Sequence, residues 1–376
     1  MTIGIDARTL AGNLSGVGNY LRGVLSADVF DRSIIGYYAT HGDITTVDES
    51  FSTKLIETPE YVMNILVPSS PGWWINVTLP RNLRHDSTTC YFGPNFLKPV
   101  HCPTPSVIVV HDLIHRRRPS THTTAYRWYL RTLLPLSIRT ADYIIAVSES
   151  TKRDLLEFHD ISREKVSVAS PAAGEQFKPR ALSESERERL QTTYDLPDEF
   201  VLFVGNIEPR KNLSNLLRAI RQLPPDVRVP LVVVGQQHVP TPELDSLRAA
   251  PWTDTLLYEP GYIPDADLPR LYNLASVFVY PSLYEGFGIP PLEAMQSGVP
   301  VVTSDRASLP EVVGEAGVTV DPTDIKSIRG AISRVLSDYE FAAACRERGI
   351  ERANKFSWNE TAQTISETID AAERGT

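Results

Sequence analysis

The chain has 376 residues, too many for a single hydrophobic core and enough for two domains of ordinary size. With 42% hydrophobic and 22% charged residues it has the composition of a globular protein and gives no compositional case for disorder. A formal charge of −9 argues against general nucleic-acid binding, so no nucleic-acid partner is expected.

The opening TIGIDAR reads as a short strand, and GNLSGVGNY after it supplies glycines for a tight turn into a helix that begins over 20–24. No basic segment followed by an apolar one precedes it, as a signal peptide would require, and no apolar run approaches the ~18 residues of a membrane span. Cys90, Cys102 and Cys345 are scattered, odd in number and without C-x-x-C spacing, which disfavours a disulfide framework and a structural zinc site. A cytoplasmic location is therefore expected.

Between residues 81 and 140 the charge balance inverts. Arginine or lysine occupies 81, 84, 98, 116, 117, 118, 127, 131 and 139, against the two acids Asp86 and Asp112. Strands follow at 106–112, 141–148 and 165–170, each apolar, rich in β-branched residues and too short for a helix, with helical patterns between them. That alternation implies parallel strands with crossover helices. After a polar stretch at 178–199 the pattern starts again, with strands at 200–206, 229–236, 255–263, 275–282 and 299–305. The restart places a boundary near 175–195 and predicts two doubly wound α/β domains. An N-capped helix is expected over 356–373.

Three stretches carry chemistry. In VLFVGNIEPRKN (201–212) a strand and a glycine turn lead to Arg210 and Lys211 just before a helix, a combination suited to phosphate through backbone amides, helix dipole and side-chain charge. A solvated basic pair is the alternative. In YEGFGIPPLEAM (284–295), Glu285 lies on a loop and Glu293 near the start of the helix that Pro290 and Pro291 open, with Gly286 and Gly288 between them. Such glycines let amides approach phosphates while the two carboxylates accept from hydroxyls, so a sugar at one end and a ribose at the other would fit. Alone, Glu293 would read as a helix-dipole acid. In VVHDLIH (109–115), His111 and Asp112 end a strand at its ligand-facing edge, as a structural or an electrostatic pair. The spacing of His111 and His115 makes a weak metal site on a strand and loop. Gly16 and Gly18 are half of a dinucleotide fingerprint that Leu21 leaves incomplete, no P-loop occurs, and Asp265 and Asp267 read as helix-start acids.

These segments together resemble the family-4 retaining glycosyltransferases, and among them the bacterial mannosyltransferases that extend lipid-linked polysaccharides. GIDAR with GVGNY, VVHDL, AVSESTKRDL, VGNIEPRKN, the long stretch from PGYIPDADLPRLYNLA to GVPVV, and FSWNETA carry the likeness over nearly the whole chain. The resemblance implies a GT-B architecture of two Rossmann-like domains facing across a cleft: residues 1–180 on the acceptor side, 181–355 binding the nucleotide-sugar, and 356–376 a helix crossing back to the first domain. It implies donor binding by Gly205, Asn206, Arg210, Lys211, Gly235, Tyr262, Ile263, Gly286, Phe287, Gly288, Ile289 and Glu293, with Gly16 and Gly18 closing from the other domain. In it Arg210 and Lys211 hold the diphosphate, Glu293 the ribose, Glu285 the transferred sugar, and the backbone at Tyr262 and Ile263 the base. His111, Asp112 and Glu285 are the expected catalytic residues, and Asn19, Tyr20 and Ser148 the expected acceptor contacts. The implied reaction moves a hexose, with GDP-mannose as donor, to a lipid-linked saccharide in polysaccharide or O-antigen synthesis. It proceeds with retention and with neither cofactor nor metal. A nucleotide-sugar epimerase or hydrolase, and a binding subunit without turnover, are the competing readings. Trp73, Trp74, Trp128 and Tyr129 with the flanking arginines are expected to rest on an anionic membrane surface or, alternatively, to form core and solvated surface.

Overall fold

A computed structural model describes residues 1–10, 16–27, 29–30, 32–38, 51–55, 74–118 and 124–375, with backbone alone at 38, 51–55 and 124–129. Trp73 and the side chains of Arg127, Trp128 and Tyr129 lie outside the described residues. The chain divides into two compact units, Met1–Pro171 with Ser357–Thr376, and Ala172–Phe356.

The first unit is built on a seven-stranded sheet in the order β3-β2-β1-β4-β5-β6-β7. Its strands are β1 (Thr2–Asp6), β2 (Ser33–Tyr38), β3 (Phe51–Leu55), β4 (Cys90–Gly93), β5 (Ser106–Val110), β6 (Tyr143–Ala146) and β7 (Val166–Val168). All pairings are parallel. Every residue of β4 and β5 is buried, the signature of strands covered on both faces, and this is why they read as unbroken apolar runs. The direction of winding reverses between β1 and β4, so the carboxyl ends of those strands border the crevice where such sheets take ligands.

The last helix, Trp358–Arg374, belongs to this unit. Ser357 caps it by accepting from the Asn359 amide, and Ala362, Ile365, Ile369 and Ala372 form its buried stripe. A methyl group on Gly23 would come within 2.4 Å of the Trp358 ring, so the helix packs where only glycine leaves room. Arg32 pairs with Asp370 and Glu373, and Thr89 Oγ1 donates to Glu373, fixing the other end.

The second unit carries a six-stranded parallel sheet, β10-β9-β8-β11-β12-β13. Its strands are β8 (Val201–Val204), β9 (Leu231–Val234), β10 (Leu257–Gly261), β11 (Val277–Tyr280), β12 (Val301–Ser304) and β13 (Val318–Val320). Its winding reverses between β8 and β11. The helix Leu213–Arg221 buries Leu213, Leu216, Leu217 and Ile220, spaced for one face, and each contributes about 1.5–3 kcal/mol by leaving water.

The expected division at 180/181 moves to 171/172. Residues 172–180 are held by the second unit: the Gly174 carbonyl accepts from Gln296 Nε2, Phe177 meets Tyr272 edge-on at 5.6 Å, and Asn273 bonds both the Lys178 carbonyl and the Arg180 amide. The glycine loop is corrected as well. Gly16 and Gly18 lie inside the helix Gly16–Leu25, and neither takes a positive φ. Asp267 does not cap its helix with its side chain; it pairs with Arg189 at 2.6 Å and accepts from Tyr194.

Candidate functional site

Strand order explains how the second unit gathers its charged residues. Since β8 and β11 are neighbours, the loops leaving their carboxyl ends, 205–212 and 281–288, meet although some seventy residues separate them in sequence. The Leu283 amide and the Ser282 hydroxyl both donate to the Arg210 carbonyl, at 2.8 and 3.1 Å, stitching the loops together. Asn212 takes a left-handed conformation (φ 61°) and donates to the Pro281 and Pro322 carbonyls, which turns the chain into the following helix. The Ser308 hydroxyl sits 2.9 Å from the Glu285 carbonyl and 2.6 Å from that of Phe287, supporting the second loop from below.

Between the loops lies a closed set of charges. Glu285 is 9% exposed, and its Oε1 meets Lys211 Nζ at 2.7 Å while its Oε2 meets Arg210 Nη1 at 2.7 Å. Ser282 Oγ lies 2.5 Å from the same Oε1, and Arg210 Nε also pairs with Glu208 at 2.8 Å. Burial alone would raise the Glu285 carboxyl, but Arg210 and Lys211 outweigh it and hold it at about 2. Lys211 is 6% exposed; its burial and the neighbouring Arg210 push its ammonium down to about 8 against the pull of Glu285. The sequence suggested two cations in want of an anion. In the structure Glu285, 74 residues from Lys211 in the chain, bridges both, and with Glu208 it balances their charge.

Two glycines end neighbouring strands at the edge of the crevice. Gly205 and Gly235 end β8 and β9 with φ of +145° and +147°, and a methyl group on Gly235 would stand 2.1 Å from the Gly205 carbonyl oxygen. Asn206 follows Gly205 in the same turn. Beyond β10, the Ile263 side chain is buried whereas the Tyr262 ring is 64% exposed. Gly288 has φ +120° and precedes the helix Ile289–Gln296. Pro290 and Pro291 have no amide hydrogen, so the first turn of that helix presents the Ile289 amide, next to the loop amides of Gly286, Phe287 and Gly288. The Phe287 ring itself is buried against Phe356 at 5.5 Å, and its carbonyl is taken by Ser308, so that any ligand would meet its amide.

Glu293 lies one turn into that helix and accepts from the Tyr272 hydroxyl at 2.9 Å. Burial pushes its carboxyl up to about 7, the Tyr272 hydrogen bond opposing the shift and Asp265 adding to it.

In the first unit His111 follows β5. Its Nε2 is 2.7 Å from the Pro94 carbonyl, which can only accept, so Nε2 carries the proton and Nδ1 is the acceptor nitrogen of the neutral ring. Burial lowers its pKa, the Pro94 contact and Asp112 opposing. Asp112 Oδ1 accepts from the Ile114 amide at 3.0 Å, shaping the turn that follows. Tyr20 and Ser148, expected at the acceptor, have their side chains engaged inside the unit. Tyr20 is 1% exposed, donates to the Ala169 carbonyl and packs edge-on against His111 at 5.1 Å. Ser148 is fully buried and caps the helix Glu149–Phe158 by accepting from the Thr151 amide. Asn19 is partly exposed, and its Oδ1 is buried with no hydrogen-bond partner among the described residues. Among the described residues no group of three or more His, Cys, Asp or Glu is placed to hold a metal ion, and no helix is long and apolar enough to cross a membrane.

The chain is similar to known proteins. Residues 184–352 match the family Glycosyl transferases group 1, and residues 84–173 match Glycosyltransferase Family 4. The chain is 36% identical over 288 residues to O-antigen chain mannosyltransferase B of Escherichia coli, covering 76% of this chain and 75% of that protein. The chain belongs to the family-4 glycosyltransferases. As such it is a hexosyltransferase. The glycosyltransferase is also 35% identical over 272 residues to the serotype-specific mannosyltransferase WbdA of Escherichia coli, where the match spans 70% of this chain but a third of that longer protein. Its fold is the GT-B fold. Sucrose-phosphate synthase from Thermosynechococcus elongatus superposes with a TM-score of 0.78 at 18% identity over the whole of both chains. The lipopolysaccharide glycosyltransferase WaaG does so at 0.73 and 14% identity, over 98% of this chain and 99% of that one. Anabaena HepE, solved in complex with UDP, superposes at 0.75 and 19% identity over the same shares.

The structure thus brings Arg210, Lys211, Glu285, Gly286 and the start of the Glu293 helix to one crevice of the glycosyltransferase, with Gly205 and Gly235 at its edge. Sequence reasoning missed Tyr280, Ser282, Asn212, Ser308 and Glu208 as supports of that crevice. Glu208, two residues before Arg210, and the YPS preceding Glu285 were visible signals. Ser308 and Tyr272 gave none, because their roles depend on tertiary packing.

Proposed function

We propose that this glycosyltransferase transfers mannose from GDP-mannose to a lipid-linked saccharide acceptor in O-antigen-type polysaccharide synthesis, with retention of anomeric configuration and without a metal. The observation that carries the reading is the pairing of Arg210 and Lys211 at the β8/β11 switch point, beside a helix start and two carboxylates. Mannose comes from the names of both Escherichia coli relatives, and the O-antigen from that of the first.

In this reading Arg210, Lys211 and the amides around Gly286–Ile289 stabilise the departing diphosphate, the main electrostatic demand of the reaction. These protein cations supply the positive charge that a metal would otherwise bring. The bond from the anomeric carbon to the diphosphate oxygen breaks as the acceptor hydroxyl attacks the same face, and the hydroxyl proton passes to the departing phosphate oxygen. Glu285 accepts from the mannose hydroxyls and Glu293 from those of the ribose, while the base lies against the backbone at Tyr262 and Ile263. Asn19 is the acceptor contact we retain in the first unit, because its buried oxygen would gain a donor there.

The exposed arginines 81, 84, 116, 118, 131 and 139 support a contact of this unit with anionic lipid, which makes the protein peripheral at the cytoplasmic face of the membrane. Lys98 drops out of that surface because it is buried on the Pro99 carbonyl, and Arg117 is neutralised by Asp154 and Glu157. Co-sedimentation with vesicles that rises with anionic lipid content supports the contact; insensitivity to that content contradicts it.

The test of the reaction is incubation with GDP-, UDP-, dTDP- and ADP-sugars, each with and without a lipid-linked saccharide. Mannosyl transfer from GDP-mannose, with an α-linked product from the α-linked donor, is expected. Release of free sugar or an isomer without acceptor would instead favour the hydrolase or epimerase.

A further inference from the structure

Tyr280 ends β11 with its ring enclosed: it is 1% exposed, stacked on Phe203 at 5.4 Å and on Phe278 at 5.9 Å. Phenylalanine would fill that aromatic stack equally well, yet the position carries a hydroxyl, and the hydroxyl reaches the charged crevice. It accepts a hydrogen bond from Lys211 Nζ, while the ammonium stands 4.7 Å from the ring centroid. Lys211 therefore has two kinds of partner. Glu285 is on a loop; Tyr280 is on a strand, locked by two rings.

The difference matters when a donor binds. A diphosphate needs both cations, and at present Glu285 occupies both through its two oxygens. For Glu285 to accept from sugar hydroxyls it must loosen those contacts, and the diphosphate must take them over. During that exchange a buried ammonium without a fixed partner would shed its proton or swing away. We propose that Tyr280 is a positioning residue for the donor diphosphate, its hydroxyl holding the Lys211 ammonium in place while Glu285 exchanges from the cations to the sugar. The inference rests on the donor site proposed above and adds to it the residue that keeps that site charged.

The groups facing Lys211 are Arg210 and Glu208 on its own turn, Glu285 on the loop after β11, and Tyr280 on the strand itself. Of these Arg210 disfavours the charged form, and the carboxylates favour it. A hydroxyl accepting from the ammonium favours it too, so its loss moves the loss of charge to lower pH.

The experiment is calorimetric titration of the wild type and Tyr280→Phe with GDP and with UDP from pH 6.5 to 9.5, together with melting temperatures. Phenylalanine keeps the stack and removes only the hydroxyl. The expected result is that nucleotide affinity of the wild type falls above about pH 8, and that of Tyr280→Phe falls about one pH unit earlier and is about tenfold weaker at pH 8, with a melting temperature lower by only a few degrees. A Tyr280→Phe profile with the same basic limb as the wild type overturns the inference, whether or not affinity drops uniformly, since a merely structural role does that. A wild type that binds neither nucleotide overturns the inference and the donor site together, so the two failures are distinguishable.

Discussion

Replacing Lys211 by methionine separates the charge of the site from its packing. Methionine fills nearly the same volume as the lysine stem, which is 6% exposed, but carries no charge. The fold should tolerate it: Glu285 keeps Arg210 at 2.7 Å and Ser282 at 2.5 Å, so no buried carboxylate is stranded. It also removes an ammonium that burial already disfavours, as its descent to about 8 records. Transfer should not tolerate it. Losing one preorganised charge at a leaving group typically costs about 3–4 kcal/mol, or roughly 10²–10³ in rate. Initial rates of mannosyl transfer against donor concentration, with a calorimetric melt beside them, read both effects. A rate within threefold of the wild type at an unchanged melting temperature refutes the placement of the diphosphate on Lys211. Glu285→Ala is the poorer probe, since it takes the carboxylate away from the buried Lys211 ammonium and costs about 3–5 kcal/mol of folding stability before any chemistry is read; Glu285→Gln avoids most of that.

Three further outcomes follow from the packing. The Glu293 carboxyl holds its proton up to about pH 7 in the fold but loses it near 4.5 in the unfolded chain. Its contribution to stability is therefore full below 4.5 and is lost as pH rises through 7. Denaturant melts at pH 5 and pH 8 should show a loss of stability in the wild type that Glu293→Gln reduces, and an equal loss in both would contradict the assigned burial. Gly235→Ala puts a methyl group 2.1 Å from the Gly205 carbonyl at φ +147°, so it should destabilise by more than about 1 kcal/mol or fail to accumulate as soluble protein. Ser148→Ala removes a helix cap and should lower stability by about 1 kcal/mol, with the donor KM unchanged in steady-state kinetics.

Which parts were legible in the sequence follows from which interactions are local. β5, β6, β8, β9, β11 and β12 announced themselves because strands buried on both faces are unbroken apolar runs, and each proved shorter than expected by two to four residues in all. β2, β4 and β13 were missed: CYFG stands between Thr88, Thr89 and Pro94, Asn95, and SIIGYY and VTV likewise sit among polar neighbours. β3, FSTKL, carries no continuous apolar face at all. At the site, the turn holding Arg210 and Lys211 and the helix holding Glu293 were readable because strand, glycine and proline signals are local. The ion pairs that join Glu285 to both cations were not, because they depend on β8 and β11 being neighbours. Tyr20, expected at the start of its helix and at the acceptor, lies on the buried face of that helix against Trp358 and His111, contacts that depend on tertiary packing.

The most direct measurement is calorimetric titration of the wild type, Lys211→Met and Glu293→Gln with GDP and GDP-mannose at pH 7.5. The account predicts saturable binding to the wild type, binding at least tenfold weaker in Lys211→Met for both ligands, and weaker binding of both in Glu293→Gln. Equal affinity of all three proteins would contradict the placement of the donor in the crevice between β8 and β11.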